Sequence, residues 1–375
     1  MPAPYNPAYL ALLSERQHAF AMTARGIKFL REFVWVKGRH LFIIGDTGSG
    51  KTQKGYWILD WLCRGNHKAK GQNRRVETQV WISTGKSGEI LPLLCMGMPV
   101  RVIIPARSDF SITEWIGGKK VPIKDLEIVE VGSPQEAWQA VKRDHINIFE
   151  FRNTITRDKV HIWMAGLFET LAVWTREGKM PKILPLTIYG DETQWFAGGT
   201  RVTNDRERVH STEIVIENAL EGRSGGIRLV LFGQSYKNIP PAARENMTCI
   251  LMCRGAQSAR NDSAKIAAHT QWGKQRDPSR YKPNEGKFIH DDNSSSPFEP
   301  WIFPLYPRDE TDQKWIKRLS VNYGKKFGEN TEEAEAEIEC LPELGRYAAL
   351  AVQHEEEKNI RPYDIQGGIS DELSG

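Results

Sequence analysis

Between Tyr9 and Phe33 the apolar residues Leu12, Leu13, Phe20, Ile27, Leu30 and Phe33 recur at helical spacing and predict one buried helix face. The run HLFII (40–44) breaks that period with consecutive apolar and β-branched residues, which predicts a first core strand. TQKGYWILDWLC (52–63) then returns to a helix. Two β-rich runs follow, VETQVWIS (76–83) and VRVIIP (100–105), separated by the Gly- and Leu-containing segment TGKSGEILPLLCMGM. Strands alternating with helices in this way predict a parallel sheet covered on both faces.

Residues 106–133 contain Gly-Gly and Pro punctuation within apolar runs and predict a hairpin excursion and a further strand. PQEAWQAVKR (134–143) reads as a short helix with Pro near its first position. In 158–177 a stripe of Val160, Trp163, Met164, Leu167, Leu171 and Trp174 predicts a core helix. KILPLTIYGDETQW (182–195) reads as a strand emerging into paired acids, and 204–223 as a helix capped by Asn204 or Asp205. IRLVLFG (227–233) and MTCILMC (247–253) are two more strands. From about residue 277 the Pro-, Asp-, Asn- and Ser-rich composition predicts loop, followed by a last basic helix over 315–327.

Composition narrows the class. A 40% hydrophobic and 10% aromatic content suffices for a packed core, and no run approaches the ~18 apolar residues of a membrane span. The N-terminus lacks a basic-then-apolar secretory pattern, so a soluble, non-exported chain without membrane insertion is expected, cytoplasmic or viral in a host cytoplasm. The five cysteines form no C-x-x-C and read as packing residues or free thiols. The net charge of +4 is uneven: residues 329–375 hold thirteen Asp/Glu against three Lys/Arg, a balance of −10. That leaves 48 bases and 34 acids, or +14, in residues 1–328. So basic a body suits a polyanion partner; the acidic tail, expected to be largely mobile, would mask it, meet a protein partner or aid solubility.

The chemistry begins at residues 45–52, GDTGSGKT, which fit the P-loop pattern G-x-x-x-x-G-K-[ST] without mismatch. Gly45, Gly48 and Gly50 let the backbone of Asp46, Thr47 and Ser49 curl its N–H groups around a phosphate. Lys51 reaches the β- and γ-phosphates of ATP, and the Thr52 hydroxyl is placed to ligate Mg²⁺ at the start of the next helix. Asp191, at the C-terminal end of an apolar strand, suits the Mg²⁺ shell, and the adjacent Glu192 suits the base that activates water. Two strand candidates separate this pair from the P-loop, the arrangement of additional-strand ATPases. Gln234 closes the following strand and would face the γ-phosphate as a sensor; a polar residue that merely ends a strand is the alternative.

RHLFIIGDTGSGKT, VWISTGKSGEI, TIYGDETQW, EGRSGGIRLVLFGQS and PPAARENMTCILMC, in that order over residues 39–255, resemble the HerA–FtsK superfamily of DNA-translocating ATPases. Conjugative coupling proteins and viral genome-packaging ATPases are related to that superfamily. The resemblance implies an α/β, RecA-like P-loop fold with a mostly parallel central sheet flanked by helices. It also implies a hexameric ring acting on duplex DNA, with Arg223 reaching the neighbouring subunit's nucleotide. On this reading residues 1–38 are a helical cap, 39–276 the ATPase domain with its hairpin near 106–133, 277–328 an extension and 329–375 the tail. Membrane segments and a winged-helix domain, found in some relatives, are missing from the pattern, which favours a soluble motor. An ATP-switched assembly or regulatory protein is the main alternative, and a nucleoside kinase a weaker one. The loop 196–208, with Arg201, Arg206 and Arg208, is a candidate DNA contact.

Overall fold

The computed structural model describes residues 19–64, 77–83, 89–123, 126–156, 159–179, 182–190, 225–234, 246–256, 286–298 and 318–328, apart from single positions within them, together with Gly222. All belong to a unit spanning Met1–Glu329; the remainder, Asn330–Gly375, lies outside the described residues. The chain enters through helix α1 (Ala24–Phe29), whose last turn widens into a π-helical turn over Leu30–Val34. There the N–H of Trp35 bonds to the carbonyl of Leu30 at 2.8 Å. Thr23 caps α1, its hydroxyl accepting the Gly26 N–H at 3.0 Å. Strand β1 (Leu41–Ile44) and helix α2 (Lys51–Arg64) come next, then β2 (Thr78–Ile82), the single turn α3 (Leu91–Leu94) and β3 (Val100–Pro105). Between residues 106 and 133 lie β4 (Phe110–Ile116), β5 (Lys119–Pro122) and β6 (Glu127–Val131). They are followed by α4 (Pro134–Ala140), β7 (Ile146–Phe149), α5 (Val160–Arg176) and β8 (Leu186–Gly190). The last strands are β9 (Ile227–Gly233), β10 (Cys249–Cys253), β11 (Gly286–Ile289), β12 (Ser295–Phe298) and β13 (Leu319–Tyr323).

The main sheet runs β12-β11-β10-β1-β9-β8-β2-β7-β3-β6 and is parallel from β10 through β6. The fold is therefore mixed α/β with a mostly parallel sheet flanked by helices. β9 stands between the P-loop strand β1 and β8, which is the additional-strand order. Successive residues of β1 divide between the two faces: Leu41 and Ile43 join the core with α1, α2 and α3, while Phe42 and Ile44 join the core with α4 and α5. On the first face Trp57 meets Phe298 at 4.5 Å and Phe29 meets Phe288 at 5.1 Å, both edge-on, locking α1 and α2 to the β11–β12 hairpin. Gly55 lets α2 approach the sheet, since a Cβ there would lie 2.3 Å from the Phe232 ring.

Three expectations need correction. Residues 286–298 are not loop: β11 and β12 extend the sheet antiparallel from β10, and the ring contacts just described outweigh their polar composition. The helix expected over 315–327 contains strand β13, because LSVNY completes a small antiparallel sheet with β4 and β5. β7, four fully buried residues, was not anticipated and lies between β2 and β3, so more strands precede Asp191 than the two expected. The proposed helix over 204–223 and the segment 1–18 lie outside the described residues.

Both outer edges of the sheet carry features that discourage further pairing. On β6, Glu127 is clamped by Arg101 and Lys142, and the Arg101 guanidinium holds its carboxyl well below the usual range, at about 2. On β12, Pro297 lacks an N–H.

At the N-terminal end of β9 the fully buried Arg228 bonds Glu77 through Nε at 3.0 Å and Nη2 at 2.8 Å. Its remaining protons go to the carbonyls of Phe33 at 2.7 Å and Val36 at 2.9 Å, with longer bonds to Arg39 and Val34. Arg228→Ala should destabilise the protein by about 3–5 kcal/mol, because Glu77 is left as a buried uncompensated charge. The double variant Arg228→Met/Glu77→Leu should recover a large part of that loss. Urea unfolding of the three proteins checks this; equal losses in single and double variants would show that packing, not charge, sets the cost.

Candidate active site

β1 delivers Gly45 to the C-terminal edge of the sheet, where the loop hangs between the ends of two neighbouring strands. The Gly45 N–H bonds the carbonyl of Gly233 on β9 at 3.2 Å, and the Asp46 N–H bonds that of Arg254, just past β10, at 2.9 Å. A Cβ at Gly45 would lie 2.7 Å from Cys253 Cβ and 2.9 Å from the Arg254 carbonyl, neither of which can swing away. Gly48 and Gly50 take φ of 76° and 81°, and the Ser49 N–H closes the turn onto the Asp46 carbonyl at 3.2 Å. Beyond Gly48 there is open space, as a phosphate cradle requires.

Lys51 opens α2, and its Nζ donates to the carbonyls of Gly45 and Asp46, each at 2.8 Å. The ammonium is thereby held across the mouth of the loop, where phosphate oxygens can take over its bonds. Thr52 is the second residue of the same helix, whose positive dipole end favours an anion. The donor set of Asp46–Thr52 thus fits a nucleotide polyphosphate, and the Thr52 hydroxyl fits one Mg²⁺ ligand.

Gln234, exposed at the end of β9, donates through Nε2 to the Thr47 hydroxyl at 3.2 Å, so this side chain already touches the loop. β8 ends at Gly190, and Asp191 follows directly in the chain. Asp191, Glu192, Arg223 and the loop 196–208 lie outside the described residues. Of the five cysteines, Cys63, Cys249 and Cys253 are buried free thiols, and burial pushes Cys253, beneath the loop, upward in pKa. Among the described residues no helix is long and apolar enough to cross a membrane.

Sequence reasoning overlooked two features of this edge. One is the Arg254–Gly255 turn that holds Asp46, for which the only signal was a glycine after a strand. The other is Glu150, which ends β7 and is wholly buried beside the end of β2. Burial pushes its carboxyl up to about 8, and the nearby Glu89 adds to the rise. Ser83, the Asn153 N–H and Tyr323 oppose it, although among the described residues neither oxygen of Glu150 has a partner in close hydrogen-bond geometry. We take burial as the dominant influence. Glu89 itself accepts the Trp81 indole N–H at 2.9 Å.

No protein-family model and no curated protein matches the sequence. Among solved structures the chain is similar to the genome packaging NTPase B204 from Sulfolobus turreted icosahedral virus 2, at 10% identity and a TM-score of 0.39, over 70% of this chain and 98% of that one. It is similar to the pCW3 conjugation coupling protein TcpA, at 14% identity and a TM-score of 0.34, over 75% of this chain and 65% of that one. A third is Thermomonospora curvata EccC, ATPases 2 and 3, at 10% identity and a TM-score of 0.38, over 75% and 41%.

Because Glu150 binds its proton more tightly in the folded chain than in the unfolded one, its contribution to stability is complete below the unfolded value, near 4.5, and is lost as pH rises to about 8. Glu150→Gln should flatten this part of the pH–stability curve and be more stable than the parent at pH 8. Thermal melts between pH 5 and 8.5 measure it, and parallel curves for the two proteins would exclude Glu150 as the titrating group.

Proposed function

We propose that this chain is an ATP-hydrolysing motor of the HerA–FtsK kind that moves DNA, with duplex DNA threaded through a ring of copies, as in viral genome packaging or the transfer of a mobile element. The observation that carries the reading is the strand order: β9, with Gln234 against Thr47, separates the P-loop strand from β8, whose sequence continues into Asp191 and Glu192. The +14 balance over residues 1–328 supports a polyanionic partner.

On this reading Asp46–Thr52 bind the polyphosphate through backbone N–H groups, and Lys51 exchanges its carbonyl partners for β- and γ-phosphate oxygens. Mg²⁺, held by Thr52 and Asp191, would neutralise charge between those phosphates. Glu192 orients the attacking water and takes its proton, while Gln234 relays the state of the γ-phosphate to β9. Arg223 adds positive charge to the transferring group from an adjacent copy.

Lys51→Ala should abolish ATP turnover, and Glu192→Gln should retain bound ATP without hydrolysing it. Long duplex DNA should stimulate the parent's ATPase, and neutralising Arg201, Arg206 and Arg208 should weaken DNA binding and flatten its salt dependence. Radiolabelled ATP hydrolysis and filter binding across a salt series read both. Stimulation by a protein partner but not by DNA would favour the switch reading over the motor.

Arg223→Ala should keep ATP binding while hydrolysis falls by about 10³-fold. Mixing Arg223→Ala with Glu192→Gln should restore part of the activity, since some interfaces in mixed rings carry both intact residues. Mixed assemblies with no recovery at any ratio would place Arg223 in its own subunit's site or in the fold.

A further inference from the structure

Arg254 is the first residue beyond β10, on the flank of the P-loop opposite Gln234. Its carbonyl accepts the Asp46 N–H at 2.9 Å, which fixes its backbone against the loop. The next residue, Gly255, takes φ of 71°, and a Cβ there would lie 1.8 Å from Asp46 Oδ2. The Asp46 carboxylate therefore occupies the space beside this turn, and only glycine leaves it room. The side chain of Arg254, by contrast, is exposed and forms no ion pair or hydrogen bond among the described residues. This arginine is rooted in the wall of an anion cradle, and among the described residues its side chain is not engaged in holding the fold.

The strand order gives it an orientation relative to a bound nucleotide. On the proposed roles of Gln234 and Asp191, the γ end of a triphosphate would face β9 and β8. A nucleotide is a linear molecule, so its α-phosphate and nucleoside leave the cradle on the other side, across β10. Resting on the proposed ATP-binding role of this site, we propose that Arg254 binds the α-phosphate of the nucleotide, its guanidinium pairing with the non-bridging oxygens. It would also offset the charge of Asp46, which sits beside the polyphosphate. The pairing would add affinity for ligands that carry a phosphate beyond the one in the loop, and none for a single inorganic phosphate held by the loop alone.

The test is calorimetric titration of the full chain with ADP and, separately, with inorganic phosphate, which fills the loop but has no α-phosphate. Arg254→Ala should raise the Kd for ADP by about tenfold, the loss expected for one charge-assisted hydrogen bond. Arg254→Lys should recover part of it, and inorganic phosphate should bind parent and variants alike. The backbone clamp on Asp46 survives every substitution at this position, so the melting temperature should hold. Arg254→Gln, closer in shape, serves the same titration if the alanine variant does not fold. ADP affinity unchanged in a folded variant would overturn the assignment, as would an equal loss for ADP and inorganic phosphate. A parent chain that binds no ADP would overturn the ATP-site reading itself.

Discussion

A charge with no access to water has to be answered by the chain around it, and Arg228 imposes that requirement on this fold. Its guanidinium is shared between the Glu77 carboxylate and four backbone carbonyls from residues 33–39, with the Phe33 ring 4.5 Å from its centre. Only one path of the segment before β1 supplies those carbonyls together, so the arginine dictates where the chain turns into its central strand. His40, the next residue, accepts the Leu229 N–H through Nδ1 at 3.0 Å and carries the constraint into the pairing of β1 with β9. Removing either partner strands the other in a medium that does not solvate it, which makes the interaction a specifier of geometry more than a net source of stability.

The consequence is a division of the sheet into two ends with different work. At the N-terminal end, buried polar groups join in one network: Thr187 bonds Glu77, Tyr189 bonds Gln79 at 2.8 Å, and Gln79 returns to the Glu77 carbonyl at 2.7 Å. At the C-terminal end the same strands finish in different groups: Gln234 and Arg254 are exposed, and Glu150 is buried with no close partner among the described residues. A lower edge tied together by bonds leaves the upper one to present side chains to a ligand.

Much of this was legible in the sequence where one local rule dominated. The P-loop is fixed by its glycines, and the period of Val160, Trp163, Met164, Leu167 and Leu171 marks α5 because a helix core needs that stripe. What escaped notice depends on partners distant in the chain. β13 has a helix-compatible composition and is a strand only because β4 offers it a free edge. β11 and β12 look polar, yet Phe288 meets the Phe29 ring of α1, and Phe298 meets both Phe29 and Trp57 of α2. INIF at β7 is too short for its period to show. At the site, Gln234 was readable as a strand-ending residue, whereas Arg254 gained meaning only when β10 proved to lie beside β1.

The charged edge at β6 and the proline on β12 also bear on how copies of this chain can meet. Glu127 and Glu130 bracket the exposed Ile128, so a second strand laid along that edge would place carboxylates into a ladder with no water to solvate them. Pro297 removes a donor at the opposite edge. Among the described residues both edge strands thus discourage sheet-to-sheet continuation, and copies that met would do so more readily through loops and helices, which can slide and tilt. A contact of that kind permits the small relative rotations that a continuous hydrogen-bonded ladder would forbid.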